Sequence, residues 1–338
     1  MIDILILSKA DFELTTNEVC NWLGYYNVPY IRLNVEKITD PRYYEIVIDF
    51  NENTIEIFDK INSKYINLSS IKVVWCRRFI DNTFDNVIGK EKKLDYNLVQ
   101  FAKFHSAEKN QFLKILYDFY PDWTWVDNYK DTNLNKIHVL KLAKKNQLET
   151  PKTYIVNSKA QILNIQNKTK KLITKPIYEG IGFFNEKGAY ITHTQNVSVI
   201  NTEEFSPSLF QEEIEKEFEI RTFYLDEKLY AMAIFSSKNR KTITDFRNYD
   251  LFNPNRCIPY ILPNDLANKL INLMNDLNLS NGSIDLIKDV YGRHVFLEVN
   301  PIGQFGMVSQ PCNYNLEKEM AESLIKKIKN AKKISRKY

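Results

Sequence analysis

Several patterns that identify common enzyme classes are missing from this chain of 338 residues. No G-x-x-x-x-G-K-[ST] loop and no G-x-G-x-x-G occurs, which excludes a P-loop and the Rossmann dinucleotide fingerprint. There is no H-E-x-x-H, and the four histidines lie far apart in sequence, which argues against a zinc site. A G-x-S-x-G motif of serine hydrolases is also absent. The chemistry must therefore depend on other side chains.

Cysteine is scarce, and long apolar runs are missing. The four cysteines, Cys20, Cys76, Cys257 and Cys312, form no C-x-x-C pair, which predicts buried free thiols in a reducing compartment. The N-terminus has no basic segment and is typical of a first strand, not of a signal peptide. No apolar run approaches the length of a membrane span, and a net charge of +4 does not indicate nucleic-acid binding. We expect a cytoplasmic protein that binds neither membranes nor nucleic acid.

The coarse pattern of the chain predicts more than one compact domain. Residues 2–7, 15–26 and 30–34 alternate strand, helix and strand, with Thr15 or Thr16 as the helix cap, and this opening is typical of a small parallel-sheet domain. A long helix is predicted over residues 95–119. The Pro-containing segment 121–125 then breaks the helix and is expected to pass between domains.

The most informative run covers residues 294–301 and predicts a half-buried strand. Val295, Leu297 and Val299 alternate with Phe296, Glu298 and Asn300, which predicts two opposite faces. Glu298 and Asn300 should share a face, since successive strand side chains point to opposite sides. A hairpin turn over residues 289–292 would bring Asp285 beside Glu298. Three oxygen ligands suit Mg²⁺ carrying nucleotide phosphates; the alternative is a polar strand face exposed to water.

Two basic residues lie on predicted strands. Lys175 is in an apolar strand, where a lysine is costly to bury unless it meets an anion. That anion could equally be a nucleotide phosphate or the carboxylate of a structural salt bridge. Arg221 shares a strand face with Glu219 and Phe223, and an arginine there would bind a transferred phosphate through its planar fork. A cross-strand ion pair is the alternative for Arg221.

Three further segments could contact a nucleotide. Residues 210–214 are predicted to form a strand that ends in acidic residues. This strand could contact adenine and ribose, or it could be an edge strand exposed to solvent. Residues 179–182, with Gly180 and Gly182, could close over phosphates or simply form a hairpin turn. The polar segment 242–249 could bring Arg247 to the same place, although loop charges usually face solvent.

The order of these segments resembles the ATP-grasp superfamily over roughly residues 127–330. This resemblance implies an α/β and α+β fold, in which an N-terminal α/β pre-ATP-grasp domain precedes two α+β subdomains that clamp ATP. The implied boundaries are 1–120 for the N-terminal domain, 121–207 for the central subdomain and 208–338 for the C-terminal subdomain.

The resemblance also assigns roles to individual residues. It implies that Lys136 and Lys175 contact ATP phosphates, that Gln211, Glu212 and Ile214 surround adenine, and that Glu219 approaches the ribose. It also implies that Arg221 steadies the γ-phosphate and the acyl phosphate, and that Asp285, Glu298 and Asn300 bind Mg²⁺. We therefore expect Lys175 and Arg221 to be catalytic, with Arg247 of the polar segment 242–249 as a second arginine. ATP and Mg²⁺ are therefore the expected cofactors.

Within this superfamily the chain is similar to ribosomal-peptide maturases that make graspetides, which carry ω-ester or ω-amide rings. The similarity lies in residues 74–78, 217–222, 244–249 and 298–305. Among these maturases, the chain is similar to the type whose operons also encode a radical SPASM-domain protein. It implies ATP-dependent activation of Glu or Asp side chains in a precursor peptide, followed by attack of Thr, Ser or Lys. The implied partners are that precursor, with a leader and a core, the SPASM-domain protein, and a second copy of the chain in a homodimer.

Two alternatives remain at this point. One is an ATP-grasp carboxylate–amine ligase acting on an amino acid, a small molecule or a protein terminus. The other is a peptide- or nucleotide-binding module without turnover, against which the intact Lys175, Arg221 and Asp285 argue. A neighbouring reading frame rich in Thr and in Glu or Asp would favour the maturase, and ADP release with added peptide would exclude the inert module.

Overall fold

The structure is a computed structural model that describes residues 2–10, 13–79, 96–169, 171–177, 182–185, 188–191, 194–197, 200–236 and 254–334. The chain divides into two compact units. Unit 1 comprises Met1–Thr132 and Asn315–Tyr338, and unit 2 comprises Asn133–Tyr314. Within the described ranges, no helix combines the length and apolar character needed to cross a membrane.

Unit 1 is built on a parallel sheet. Its strands are β1 (Ile4–Ser8), β2 (Tyr30–Asn34), β3 (Tyr44–Asp49), β4 (Thr54–Asp59), β5 (Lys64–Ile66), β6 (Val73–Cys76) and β7 (Thr124–Val126). Its helices before unit 2 are α1 (Leu14–Tyr25), α2 (Val35–Ile38), α3 (Tyr96–Phe119) and α4 (Tyr129–Thr132). The order β2-β1-β6-β7 forms the parallel sheet, and β3-β4-β5 form a small antiparallel one. All five residues of β1 are buried, as expected for a parallel strand covered on both faces.

Unit 2 contains two larger antiparallel sheets. Its strands are β8 (Thr153–Ser158), β9 (Leu172–Lys175), β10 (Gly182–Asn185), β11 (Gly188–Ile191), β12 (Gln195–Asn196), β13 (Glu204–Glu212), β14 (Lys216–Leu225), β15 (Lys228–Phe235), β16 (Arg256–Tyr260), β17 (Asn281–Asp289) and β18 (His294–Asn300). Its helices are α5 (Lys136–Lys145), α6 (Lys159–Gln166), α7 (Asn264–Asp276) and α8 (Gly306–Cys312). The sheets have the orders β12-β9-β13-β8 and β16-β15-β14-β17-β18, and β10 pairs with β11.

One face of the five-stranded sheet is apolar, and the other carries charged side chains together with buried apolar ones such as Phe223 and Met232. The apolar face packs against α5 and α7, with Phe218, Ile220 and Leu286 in one core with Leu270 and Met274 of α7. The buried residues of α7 recur three or four positions apart, which produces the apolar stripe of an amphipathic helix. Residues at alternate positions of β14, β17 and β18 must therefore point to the opposite face.

The closing helix, α9 (Leu316–Ile334), belongs to unit 1, although the sequence placed it with residues 208–338. It packs against α1 and β6, and Tyr26 donates a 2.6 Å hydrogen bond to Glu322. The segment 121–125 also differs from its expected role, because it leads into β7, the fourth strand of the parallel sheet. The predicted boundary after residue 120 lies between α3 and β7, both in unit 1. The division of unit 2 into two clamping subdomains stays a prediction.

Most predicted elements lie within a few residues of the observed ones. One local prediction is wrong: neither Thr15 nor Thr16 caps α1. The cap position is Glu13, which makes no side-chain capping bond to the helix, and Thr16 instead donates to the Glu13 carboxylate over 2.9 Å. The helix therefore begins one residue before the predicted start.

Candidate functional site

The predicted hairpin of β17 and β18 forms and pairs Asp285 with Glu298. The pairing shifts immediately afterwards, because Leu286 pairs with Phe296 and leaves Leu297 as an extra residue. This bulge corrects the predicted alternation: Phe296 faces the apolar core, and does not share a face with Glu298 and Asn300. Bulges of this kind re-aim side chains and are frequent beside active sites.

Arg221 of β14 lies directly opposite Asp285 and binds it. One terminal nitrogen, Nη1, lies 2.6 Å from Oδ1 and 2.5 Å from Oδ2 of Asp285. The Arg221 Nε is buried and, among the described residues, has no hydrogen-bond partner. Asn300 donates its Nδ2 to Asp285 Oδ2 over 3.2 Å. The ion pair that the sequence left as an alternative therefore exists, yet it leaves a buried guanidinium donor for another acceptor.

Lys175 comes to the same place from the four-stranded sheet. Its Nζ lies 3.8 Å from Glu298 Oε2, and both side chains are largely buried. That distance gives an electrostatic contact without a direct hydrogen bond. Lys136, at the start of α5, donates its Nζ to the carbonyl of Pro176 over 3.0 Å, immediately after Lys175. Two sheets and the start of α5 thus bring two lysines, an arginine and two carboxylates into one cluster.

The predicted adenine segment lies where one sheet passes into the other. Gln211 and Glu212 end β13, Ile214 follows, and β14 begins at Lys216. Gln211 donates its Nε2 to Thr153 Oγ1 over 2.9 Å, while no donor from the described residues reaches its buried Oε1. An orphaned acceptor on the Lys175 face of the sheet suits the amino group of a base.

Glu219 is held inside the sheet. Ser236 donates to its Oε1 over 2.8 Å, and Lys216 makes a short contact with the same oxygen. Burial raises the pKa of Glu219, and the adjacent lysine opposes that rise. Both contacts use Oε1, so Oε2 is the Glu219 oxygen that could approach a ribose.

Three predicted features fall on residues that the structure does not describe. Arg247 and the whole segment 242–249 lie outside the described residues, as do 178–181 with Gly180. Gly182 begins β10. The predicted lid and the second arginine therefore stay predictions.

Sequence reasoning missed an apolar patch beside Lys175. Leu209 pairs with Lys175 on one side and with Ile155 on the other, so the three share one face of the sheet. Leu209 is buried and Ile155 is 45% exposed, so Ile155 offers the apolar surface that a flat ring could cover. The signal was weak because Ile155 lies in a segment of mixed polarity with no motif. Ser236 was missed for the same reason.

The side chains present fit both nucleotide and Mg²⁺. Asp285, Glu298 and Asn300 supply hard oxygen donors, the class that Mg²⁺ prefers. Nowhere in the described part of the chain do three His, Cys, Asp or Glu side chains form a metal-binding group, so the donor set consists of two carboxylates and one carboxamide. Lys136, Lys175 and the unused donor of Arg221 fit phosphate oxygens.

Comparison with known proteins shows what the fold is. No family model matches the chain, and no curated protein matches it. The macrocyclase MdnC bound with precursor peptide MdnA, from Microcystis aeruginosa MRC, is 20% identical with a TM-score of 0.78, covering 96% of this chain and 100% of MdnC. A Chryseobacterium gregarium RiPP-associated ATP-grasp ligase, in complex with ADP and a leader and core peptide, is 21% identical with a TM-score of 0.77, covering 96% and 95%. The ATP-grasp ligase PsnB, complexed with minimal precursor, Mg and ADP, is 13% identical with a TM-score of 0.75, covering 97% and 98%. The expected ATP-grasp fold is confirmed.

Proposed function

We propose that this protein is an ATP-dependent macrocyclase, a graspetide synthetase, that acts on a ribosomal precursor peptide. The γ-phosphoryl group of ATP passes to a Glu or Asp side chain, which yields ADP and an acyl phosphate. A Thr or Ser hydroxyl or a Lys amine of the same peptide then attacks the acyl carbon. Phosphate leaves, the nucleophile loses its proton, and an ω-ester or ω-amide ring remains.

The observation that carries this proposal is the cluster formed by the two sheets of unit 2. Lys175 lies 3.8 Å from Glu298, and Arg221 lies within 2.6 Å of Asp285. Phosphoryl transfer needs mainly positioning and charge neutralisation, and this cluster supplies both without a nucleophilic side chain. The similar solved structures that bear precursor peptides and ADP support a peptide as the acceptor of phosphate.

Each residue has a proposed role in this reaction. Lys136 and Lys175 hold the nucleotide phosphates, while Gln211, Glu212 and Ile214 hold the base and Glu219 lies towards the ribose. Asp285, Glu298 and Asn300 would hold Mg²⁺, which supplies positive charge next to the phosphate oxygens. Arg221, with Arg247, stabilises the transferring phosphoryl group and the acyl phosphate.

The partners follow from the same proposal. The substrate is a precursor with a leader and a core that contains Thr or Ser and Glu or Asp. A radical SPASM-domain protein from the same operon acts on the same pathway, and the enzyme works as a homodimer in the cytoplasm. ATP as cosubstrate and four free thiols support this compartment.

Mass spectrometry tests the proposal directly. The purified protein is incubated with ATP, Mg²⁺ and the peptide encoded beside its gene, and each ring removes one water. Ester rings reopen in mild alkali, whereas amide rings do not. If the peptide mass stays unchanged while free amino acids drive ADP release, the protein is a small-molecule ligase instead.

A further inference from the structure

The carboxyl edge of the parallel sheet in unit 1 carries charged side chains that the proposed chemistry does not use. From β1 the chain turns to α1 and β2 on one side, and from β6 it turns to α3 and β7 on the other. In open parallel sheets, ligands bind outside the carboxyl ends of the strands where the connections diverge in this way. Glu13 immediately precedes α1, and Arg77 and Arg78 immediately follow β6.

The Glu13 carboxylate links the two arginines at this edge. Thr16 donates to Glu13 Oε2 over 2.9 Å, and Arg77 Nε lies 3.5 Å from the same oxygen. Arg78 Nη1 lies 3.4 Å from Glu13 Oε1. The side chains of Glu13 and Arg77 are 2% and 0% exposed. Buried ion pairs often stabilise a fold no more than apolar side chains of the same volume do.

Arg78 is the member of the cluster that reaches the surface. Its side chain is 35% exposed, and its backbone lies in the left-handed region with φ of 53°. Its 3.4 Å contact with Glu13 is longer than the ~2.8 Å of a charge-assisted hydrogen bond. A guanidinium carries five N–H donors, so Glu13 orients Arg78 without using its hydrogen-bonding capacity.

The charges at this edge balance one another. Asp127, which follows β7, accepts a hydrogen bond from Trp75 Nε1 over 3.2 Å and interacts electrostatically with Arg77. The two carboxylates, Asp127 and Glu13, balance the positive charges of Arg77 and Arg78. The site therefore offers oriented donors without a net positive field. Because the Arg78 side chain is partly exposed, its attraction for an anionic ligand should weaken as salt is added.

We propose that Arg78 binds a side-chain carboxylate of the peptide substrate, and that Glu13 and Arg77 are positioning residues for its guanidinium. The planar fork of arginine matches a carboxylate, which a lysine ammonium does not. This inference depends on the proposed function for the identity of the ligand. A phosphate oxyanion has similar geometry, so the test below includes inorganic phosphate.

The test measures the affinity of fluorescein-labelled peptide by anisotropy. The probe is the peptide encoded beside the gene, together with variants in which each Glu or Asp is changed in turn to Gln or Asn. We expect Arg78→Gln to weaken binding of the parent peptide about tenfold, equivalent to ~1.4 kcal/mol. The same substitution should have no effect on the one peptide variant that lacks the recognised carboxylate.

Two further variants separate recognition from folding. Arg78→Lys keeps the charge and loses the fork, so its affinity should fall between those of wild type and Arg78→Gln. Arg42→Gln is the matched control, since Arg42 is an exposed arginine of unit 1 in a 2.5 Å ion pair with Asp40. Its peptide affinity should equal that of wild type. Circular dichroism verifies that each variant is folded.

Three results would overturn the inference. One is an equal loss of affinity for every peptide variant, which would indicate a structural role. Another is peptide affinity in Arg78→Gln and Arg78→Lys equal to that of Arg42→Gln. The third is competition by millimolar inorganic phosphate without any dependence on peptide carboxylates, which would assign the site to phosphate. If wild type cyclises the peptide and Arg78→Gln does so with the same KM, only this inference is wrong. If wild type neither binds nor modifies it, the proposed function is wrong too.

Discussion

At the scale of residues, the site in unit 2 is an alternating set of charges. Arg221 faces Asp285 across paired strands, and Lys175 faces Glu298 from a different sheet. Each buried charge is compensated by a neighbour of opposite sign, which burial requires. A nucleotide with Mg²⁺ adds charges of both signs, so it can enter the cluster without leaving it unbalanced.

The first prediction concerns Arg221. Its Nη1 holds Asp285 while its Nε meets no acceptor among the described residues, so a phosphoryl oxygen can take that donor in the transition state. We expect Arg221→Ala to lower the rate of peptide-dependent ADP release in a single turnover by ~10²-fold or more. The control is Arg256→Ala, an exposed arginine on β16 beside the Phe235 ring. An unchanged rate in Arg221→Ala would mean that the ion pair is only structural.

The second prediction concerns the proposed Mg²⁺ ligands. Replacing the Glu298 carboxylate in Glu298→Gln, or removing the carboxamide in Asn300→Ala, should abolish Mg²⁺-dependent ATP turnover while the circular dichroism spectrum stays that of wild type. ATPase rates over a Mg²⁺ titration provide the measurement. The matched control is Glu217→Gln, on β14 of the same sheet, whose carboxylate is half-exposed and lies 3.7 Å from Lys288. Full activity in Glu298→Gln would remove this residue from the site.

At the scale of elements, the turn after β18 fixes the end of the strand that carries Asn300. Gly303 donates its backbone N–H to the Asn300 carbonyl over 3.1 Å. A Cβ at position 303 would collide with the side chain of Ser283 on the paired strand and lie 3.1 Å from that carbonyl. Only glycine therefore lets the turn close against β17.

The third prediction follows from this contact. Gly303→Ala should reduce the free energy of unfolding by about 1–3 kcal/mol, as overpacking does in other cores, and should weaken Mg²⁺-dependent turnover by moving Asn300. Gly24→Ala is the control: Gly24 is in α1 with nothing within 4 Å of an added Cβ, and alanine in a helix should be neutral or stabilising by up to ~1 kcal/mol. Urea unfolding measures both. Equal or higher stability in Gly303→Ala would contradict the prediction.

At the scale of the whole molecule, the two ends of the chain are packed together in unit 1. Leu316, Met320 and Leu324 of α9 are fully buried, and α9 lies against α1 and β6. Lys318 also lies 5.7 Å from the centre of the Trp22 ring. The last helix therefore completes the core of the unit that the first strand begins.

The fourth prediction tests this packing. Leu324→Ala should cost ~2–5 kcal/mol of stability, because it removes buried methyl groups and leaves a cavity. The control Glu322→Ala removes exposed contacts with Tyr26 and Lys318 and should cost less than ~1 kcal/mol. Limited proteolysis with mass spectrometry locates the destabilised region, and in Leu324→Ala the first cuts should lie in unit 1, within Met1–Thr132 or Asn315–Tyr338. First cuts within Asn133–Tyr314 would contradict the division into these units.

Much of the hairpin that carries Asp285, Glu298 and Asn300 could be predicted from sequence, because its information is local. The turn and two short strands set the pairing of Asp285 with Glu298, and the common face of Glu298 and Asn300 follows from strand periodicity. The bulge at Leu297 was not predictable, since its insertion depends on how Phe296 fits the apolar core. Strict alternation therefore misplaced Phe296 while it placed the two polar residues correctly.

By itself the sequence determined the types of element and the chemistry of the site residues, which depend on periodicity and side-chain type over a few neighbouring positions. Tertiary structure alone decided that Lys175 meets Glu298, that Glu13 lies between Arg77 and Arg78, and that α9 packs with α1. These partners are far apart in the chain, and no local pattern encodes their distance. They meet because the apolar faces of these sheets and helices are buried together. That burial fixes the positions of the elements and therefore of the polar side chains that they carry.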